Sequence, residues 1–192
     1  MPLRFRHTFV ILVAATVLLL PPAAGAQLPP LDPIMDSDAY ALYGDLLPAL
    51  WASRSKDTVL IREETQFYQC RGNLKMPDAD WQSAWDNYAS ENSRSRRLLY
   101  MFPTLTSYLL ISTAEVQAEA ARLTALYPGL WQHRQGQTDY AAVSAVGFDR
   151  TKTRAVLYLS VGNSGDVALV EKRDGHWSAA RVPGAVTCGW IA

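Results

Sequence analysis

The chain is poor in the residues that make metal and nucleophile chemistry easy. Its 192 residues hold two cysteines, Cys70 and Cys188, and three histidines, of which only His133 and His176 lie beyond the N-terminal leader. No pair among these has the spacing of zinc ligands, so no metal site is expected. Charge of one sign is also lacking, since 18 basic residues stand against 18 acidic ones. That balance carries no electrostatic footprint for nucleic acid or an anionic membrane. Phosphate loops, dinucleotide fingerprints and EF-hand loops are absent as well, and the sequence points to no cofactor. What it has in quantity is apolar residues, at 49 % of the chain, which argues against disorder and for a packed core.

Long apolar runs are absent too, with one short exception at the start. MPLRFRHTFVILVAATVLLLPPAAGAQ sets Arg4 and Arg6 before an apolar run from Phe9 to Leu20, and the small residues Ala24-Gly25-Ala26 follow. That is the order of a secretory signal peptide, and the run falls short of the roughly 20 residues a membrane span needs. Cleavage after Ala26 is expected. It removes two arginines and no acid, leaving a slightly acidic chain, periplasmic or secreted, with no membrane span. In an oxidising compartment Cys70 and Cys188 read as one disulfide closing a long loop, the alternative being two free buried thiols.

Residues 27–36 are proline-rich and read as an extended lead-in, and residues 37–192 as a single domain. Ser37 stands as a candidate N-cap for a helix carrying Tyr40, Tyr43, Leu46, Leu47 and Leu50, which Pro48 should kink or shorten. Thr58 to Tyr68 suits a strand that leaves the core. Pro77 and Asp78 open a second helix, with Trp81, Ala84, Trp85 and Tyr88 on one face. Such an aromatic stripe is core packing more often than a ligand box. The arginines of Ser93 to Arg97 read as a solvated loop, with an anion site as the sharper alternative. Ser107 to Ile111 is a short apolar strand, and Ser112-Thr113-Ala114-Glu115 matches a capping box for a third helix. Val116, Ala120, Leu123 and Tyr127 would be its buried stripe, closed by Pro128-Gly129.

Then the period changes. Tyr140 to Phe148, Arg154 to Val161, Val167 to Lys172 and Trp177 to Val182 are strand candidates joined by short turns, and Asp174-Gly175 is a strong hairpin pair. Short connections make antiparallel neighbours. The reading is an α+β domain: a C-terminal four-stranded antiparallel meander, one face covered by about three N-terminal helices.

Candidate chemistry is thin. Gly162-Asn163-Ser164-Gly165 looks like the serine loop of a protease, but the spacing is not that of a nucleophile elbow and a strand, not a helix, follows; Ser164 reads as turn. His176 beside Asp174, with Glu171 across the hairpin, is a weak acid–histidine candidate. His133 lies in a loop without a partner. Glu63 and Glu64 are neighbours on opposite strand faces and cannot share a site.

Several pieces form a recognisable series: Val59-Leu60-Ile61 with Glu64-Thr65, then Ser144-x-Val146-Gly147-Phe148-Asp149 and Thr153-x-Ala155-Val156-Leu157-Tyr158. It continues with Leu169-x-Glu171-Lys172-x-x-Gly175-x-Trp177 and ends at Trp190. The series resembles a group of small exported bacterial proteins of unknown function. Members often carry cysteines around the turn that is Gly162 to Gly165 here, where this chain has none. More distantly, the strand, turn and strand closing on glycine-x-tryptophan resembles the end of NTF2-like and cystatin-like domains. The NTF2-like resemblance implies a pocket between sheet and helices, with Trp81, Trp85, Tyr88 and Trp177 near its wall. The expectation is an exported, non-catalytic domain that binds a small apolar or envelope-derived ligand or a protein partner. A small exported hydrolase or isomerase using His176 or an acid at the mouth of the same pocket is the rival.

Overall fold

The stretch Arg154 to Val161, RAVLYLSV, lacks polar alternation and is buried along most of its length. An apolar run of this kind belongs to a strand covered on both faces. Its side chains divide accordingly. Ala155 and Leu157 belong to one hydrophobic cluster, with Leu159 and Val161 packed against it, while Val156 and Tyr158 belong to another.

A computed structural model describes residues 30–51, 58–70, 76–126, 140–162, 164–182 and 188–191, all of which except Pro30 belong to the unit Leu31–Ala192. In chain order the elements are α1 (Ser37–Trp51), β1 (Val59–Arg62), α2 (Ala79–Glu91), β2 (Tyr108–Ile111), α3 (Thr113–Leu126), β3 (Ala141–Val143), β4 (Gly147–Phe148), β5 (Arg154–Val161), β6 (Ser164–Arg173), β7 (His176–Ala179) and β8 (Gly189–Ile191). The strands form one mixed sheet in the order β2-β1-β3-β5-β6-β7, with β4 also on β5 and β8 also on β6. β1 is parallel to β2 and to β3, and the other pairings are antiparallel. The parallel pair β1 and β2 requires a crossover, and α2 lies in it.

The α+β class is as the sequence predicts, but the sheet differs from a four-stranded meander covered on one face. The first expected strand, Tyr140 to Phe148, is interrupted into β3 and β4, and β1 and β2 extend the sheet beyond it. The helices also take both faces. α1 contributes Tyr40, Tyr43, Leu47 and Trp51 to the cluster holding Leu157 and Val170; α2 contributes Trp81, Ala84 and Tyr88 to the cluster holding Val156, Tyr158, Val167 and Leu169. The alternation along β5 and β6 requires this, because both sets of side chains are apolar. Gly147 lets α2 come close: a Cβ there would collide with the backbone of Tyr88 and Ala84.

Local signals act mostly where the sequence puts them. Asp78 caps α2, its Oδ1 accepting the N–H groups of Asp80 and Trp81 at 3.0 Å. Ser112 and Glu115 form the reciprocal capping box at α3. Asp174 and Gly175 both have positive φ, 51° and 85°, as a two-residue hairpin requires. Other details change. The cap of α1 is Asp36, which accepts the Asp38 N–H, rather than Ser37. Pro48 lies inside α1, which continues to Trp51. Val116 and Ala120 of α3 are half-buried rather than buried. The side chain of Leu123, and the whole of Tyr127 to Gly129 and His133, lie outside the described residues.

Candidate functional site

Apolar side chains on β5 and β6 that point towards α1 outnumber those the helix covers. Leu157 and Val170 are fully buried there, whereas Leu159, Val161 and Ala168 are only partly so. Between the second half of α1 and this face of β5, β6 and β7 lies a cleft of about 440 Å³. The helix side supplies Leu46, Ala49 and Leu50, and the sheet side supplies Leu159, Val161, Ala168, Val170 and Trp177. Leu50 is 43 % exposed at its edge. Helical spacing assigns Leu46 and Leu50 to the core beside Leu47; in the folded chain they line this opening instead.

The polar residues lining the cleft are Asp45, Ser164, Asp166 and Ser178. Asp45 projects from α1 onto the outer strand β7, where its Oδ2 accepts the Trp177 N–H at 2.7 Å. A carboxylate thus satisfies a backbone donor on a strand edge that would otherwise be open to another chain. Its Oδ1 lies 3.5 Å from the Nδ1 of His176, whose side chain is 79 % exposed against 14 % for Asp45. Trp177 is buried, with its ring against Phe148 and Lys172 Nζ 5.5 Å from its centroid, and its indole N–H meets no acceptor among the described residues.

The residues singled out in the sequence do not converge on one place. Trp81 and Tyr88 are buried on the α2 face, with Trp85 packed beside them, and Trp177 alone of the four aromatics reaches the cleft beneath α1. Burial raises the pKa of the Tyr88 hydroxyl, which donates to the Tyr68 carbonyl at 3.2 Å. Glu171 does not pair with His176: it forms an ion pair with Arg173 and sits opposite Ser178 in the ladder. The carboxylate partner of His176 is Asp45, distant in sequence and without a motif to announce it. Ser164 begins β6 opposite Val161, so the turn before it is shorter than the glycine-bounded stretch suggested. Cys70 and Cys188 form a disulfide, with Cα atoms 5.8 Å apart, on the α2 side of the sheet.

A second hollow, of about 620 Å³, lies among the start of α1, α2 and the turn after β4. Several of its charges are paired with one another. Lys152 Nζ is 2.9 Å from Asp36 and 3.2 Å from Asp38, and Arg96 is 2.7 Å from Glu91. The hydrogen bond to Asp36 raises the Lys152 pKa, and the hydrogen bond from Lys152 lowers that of Asp38. Of the three arginines offered for an anion site, Arg94 and Arg96 are engaged with Asp32 and Glu91, and Arg97 is held through its backbone. The hollow is therefore a polar seam between elements, and the cleft beneath α1 is the better candidate for a ligand.

No family model, curated protein or solved structure matches the chain.

Proposed function

We propose that this protein is an exported binding domain that holds a small apolar ligand in the cleft beneath α1. The observation that carries this reading is the aliphatic lining of a cleft of about 440 Å³ closed on one side by Trp177. A recess of that size and composition, with few polar groups, suits a small organic ligand. Export is supported by the leader-like N-terminus and by the disulfide, which belongs in an oxidising compartment. The pocket implied by an NTF2-like resemblance is placed, in this reading, between one helix and the open end of a sheet face.

The test uses Nile red, an uncharged apolar dye, with the wild-type chain and Ala168→Trp, which fills the cleft from β6. Dye fluorescence that rises with wild type and fails to rise with the folded variant supports the reading. Equal binding by both proteins, or by neither, sinks it and turns attention to a protein partner. Mass spectrometry of protein recovered from the export compartment checks the rest: the expected chain starts at Gln27 and is oxidised at both cysteines. A hydrolase or isomerase built on His176 and Glu171 has no comparable support, because these two side chains do not pair.

A further inference from the structure

Resting on the cleft reading above, we propose that the ligand is an amphiphile with an apolar body and a single cationic head, of the alkylammonium type. Among the described residues that line the cleft, the charged ones are Asp45 and Asp166, and both are acids. The nearby cation, Lys172, is engaged elsewhere: its Nζ lies 3.3 Å from Asp38 and over the Trp177 ring. Asp45 is held in place before any ligand arrives, since the Trp177 N–H fixes its Oδ2 at 2.7 Å. Among the described residues, its Oδ1 is met by the exposed ring of His176, at 3.5 Å, a neighbour that can move aside into solvent.

The consequence is a sign preference. A carboxylate or phosphate head would be brought against two like charges beside an apolar wall, where solvent screens them less than on an open surface. An ammonium head finds a preorganised acceptor at Asp45, with its chain lying along Leu46, Leu159 and Ala168. A neutral alcohol gains the apolar contact and at most a hydrogen bond, without the charge pairing. Selection therefore comes from the head group and affinity from the chain.

Three ligands with the same chain, octylamine, octanol and octanoate, separate these contributions when titrated calorimetrically at pH 7 and low ionic strength. Octylamine is expected to bind about tenfold more tightly than octanol, equivalent to about 1.4 kcal/mol, and octanoate more weakly than either. Asp45→Asn should bring octylamine down to the octanol value and leave octanol unchanged, with folding checked by near-ultraviolet circular dichroism. Asp166→Asn, at an exposed position, should reduce the preference without a folding defect. Octanoate binding as tightly as octylamine, or a preference that survives both substitutions, overturns the head-group inference while the apolar cleft stands. Failure of all three to bind removes the cleft reading itself, and the inference with it.

Discussion

Asn92 and Ala145 exchange two hydrogen bonds: Asn92 Nδ2 donates to the Ala145 carbonyl and the Ala145 N–H donates to Asn92 Oδ1, each at 2.9 Å. Ala145 lies in the interruption between β3 and β4, where the ladder to β5 cannot serve it, and Asn92 reaches it from the end of α2. Groups on either side of the interruption are also served by side chains. Ser144 Oγ accepts the Tyr158 N–H, Tyr43 from α1 donates to the Ser144 carbonyl, and Asn87 accepts the Phe148 N–H. Side chains from both helices thus complete a broken strand in the middle of the core.

Asn92→Ala should therefore cost about 1–3 kcal/mol in urea unfolding, because the buried Ala145 N–H loses its acceptor while the Ala145 carbonyl keeps only the Ser144 hydroxyl, at 2.7 Å. Asn92→Asp keeps an acceptor for the Ala145 N–H but sets a buried carboxylate oxygen against the Tyr88 and Ala145 carbonyls, so at pH 7 it should cost at least as much as alanine. An alanine variant as stable as wild type would mean that the interruption is satisfied by other means.

Gly147 gives a steric counterpart at the same place. An added Cβ would meet the Tyr88 and Ala84 backbone, which belongs to a regular helix and cannot rotate away as a side chain can. Gly147→Ala should cost about 1–3 kcal/mol by pushing α2 off the sheet. Gly175→Ala, with open space around its Cβ, should cost about 1 kcal/mol through its φ of 85° alone. Thermal melts of the two variants distinguish crowding from backbone strain.

What could be read in the sequence follows the range of the forces involved. The Asp78 and Ser112-Glu115 caps, the Asp174-Gly175 hairpin and the Trp81 to Tyr88 stripe are local, and their residues act where they stand. The β3–β4 interruption was not legible: Ser144 to Val146 is compatible with an unbroken strand until Asn92, far away in the chain, is known to serve it. The two-sided sheet was legible in principle, because Tyr158 and Leu157 are neighbours and both are apolar. The site was the least legible part. Asp45 carries no motif, and Leu46 and Leu50 obey the same helical spacing as the buried Leu47. Only the limited reach of α1 over the sheet makes them a cleft.

The disulfide predicts a stability difference that depends on redox state. Cys70 and Cys188 are 118 residues apart, and a loop of that size restricts the unfolded chain by roughly 4–5 kcal/mol in the entropy model. Reduction, or Cys70→Ser with Cys188→Ser, should lower Tm by roughly 8–20 °C for a domain of this size. Because the bridge lies on the α2 face, octanol binding beneath α1 at a temperature where the reduced protein stays folded should be unaltered. Equal melting temperatures in both redox states would show that the bond adds nothing to folding.

Acid should unfold the protein through two aspartates in particular. At Asp149, burial pushes the pKa up, but the Thr151 hydroxyl and the backbone N–H groups of Arg154 and Thr153 outweigh it, and the net shift is downward. At Asp38 the hydrogen bond from Lys152 leads, with Lys172 adding to it against a smaller opposing effect of burial, and the net shift is again downward. A carboxyl whose folded-state pKa lies below its unfolded value of about 3.9 contributes its full stability above that value and loses it as the pH falls through the folded one. Lys152 behaves in the opposite sense: its pKa is raised by Asp36, so its contribution is complete below the ordinary lysine value and is lost at higher pH. Stability measured by urea unfolding should be level through the neutral range and fall below about pH 5. Asp149→Asn should be less stable at pH 7 and show a shallower loss towards pH 3, since the charge responsible has gone. If its acid slope matches that of wild type, Asp149 does not carry the linkage, and the pairing of Asp38 with Lys152 must supply what acid sensitivity remains.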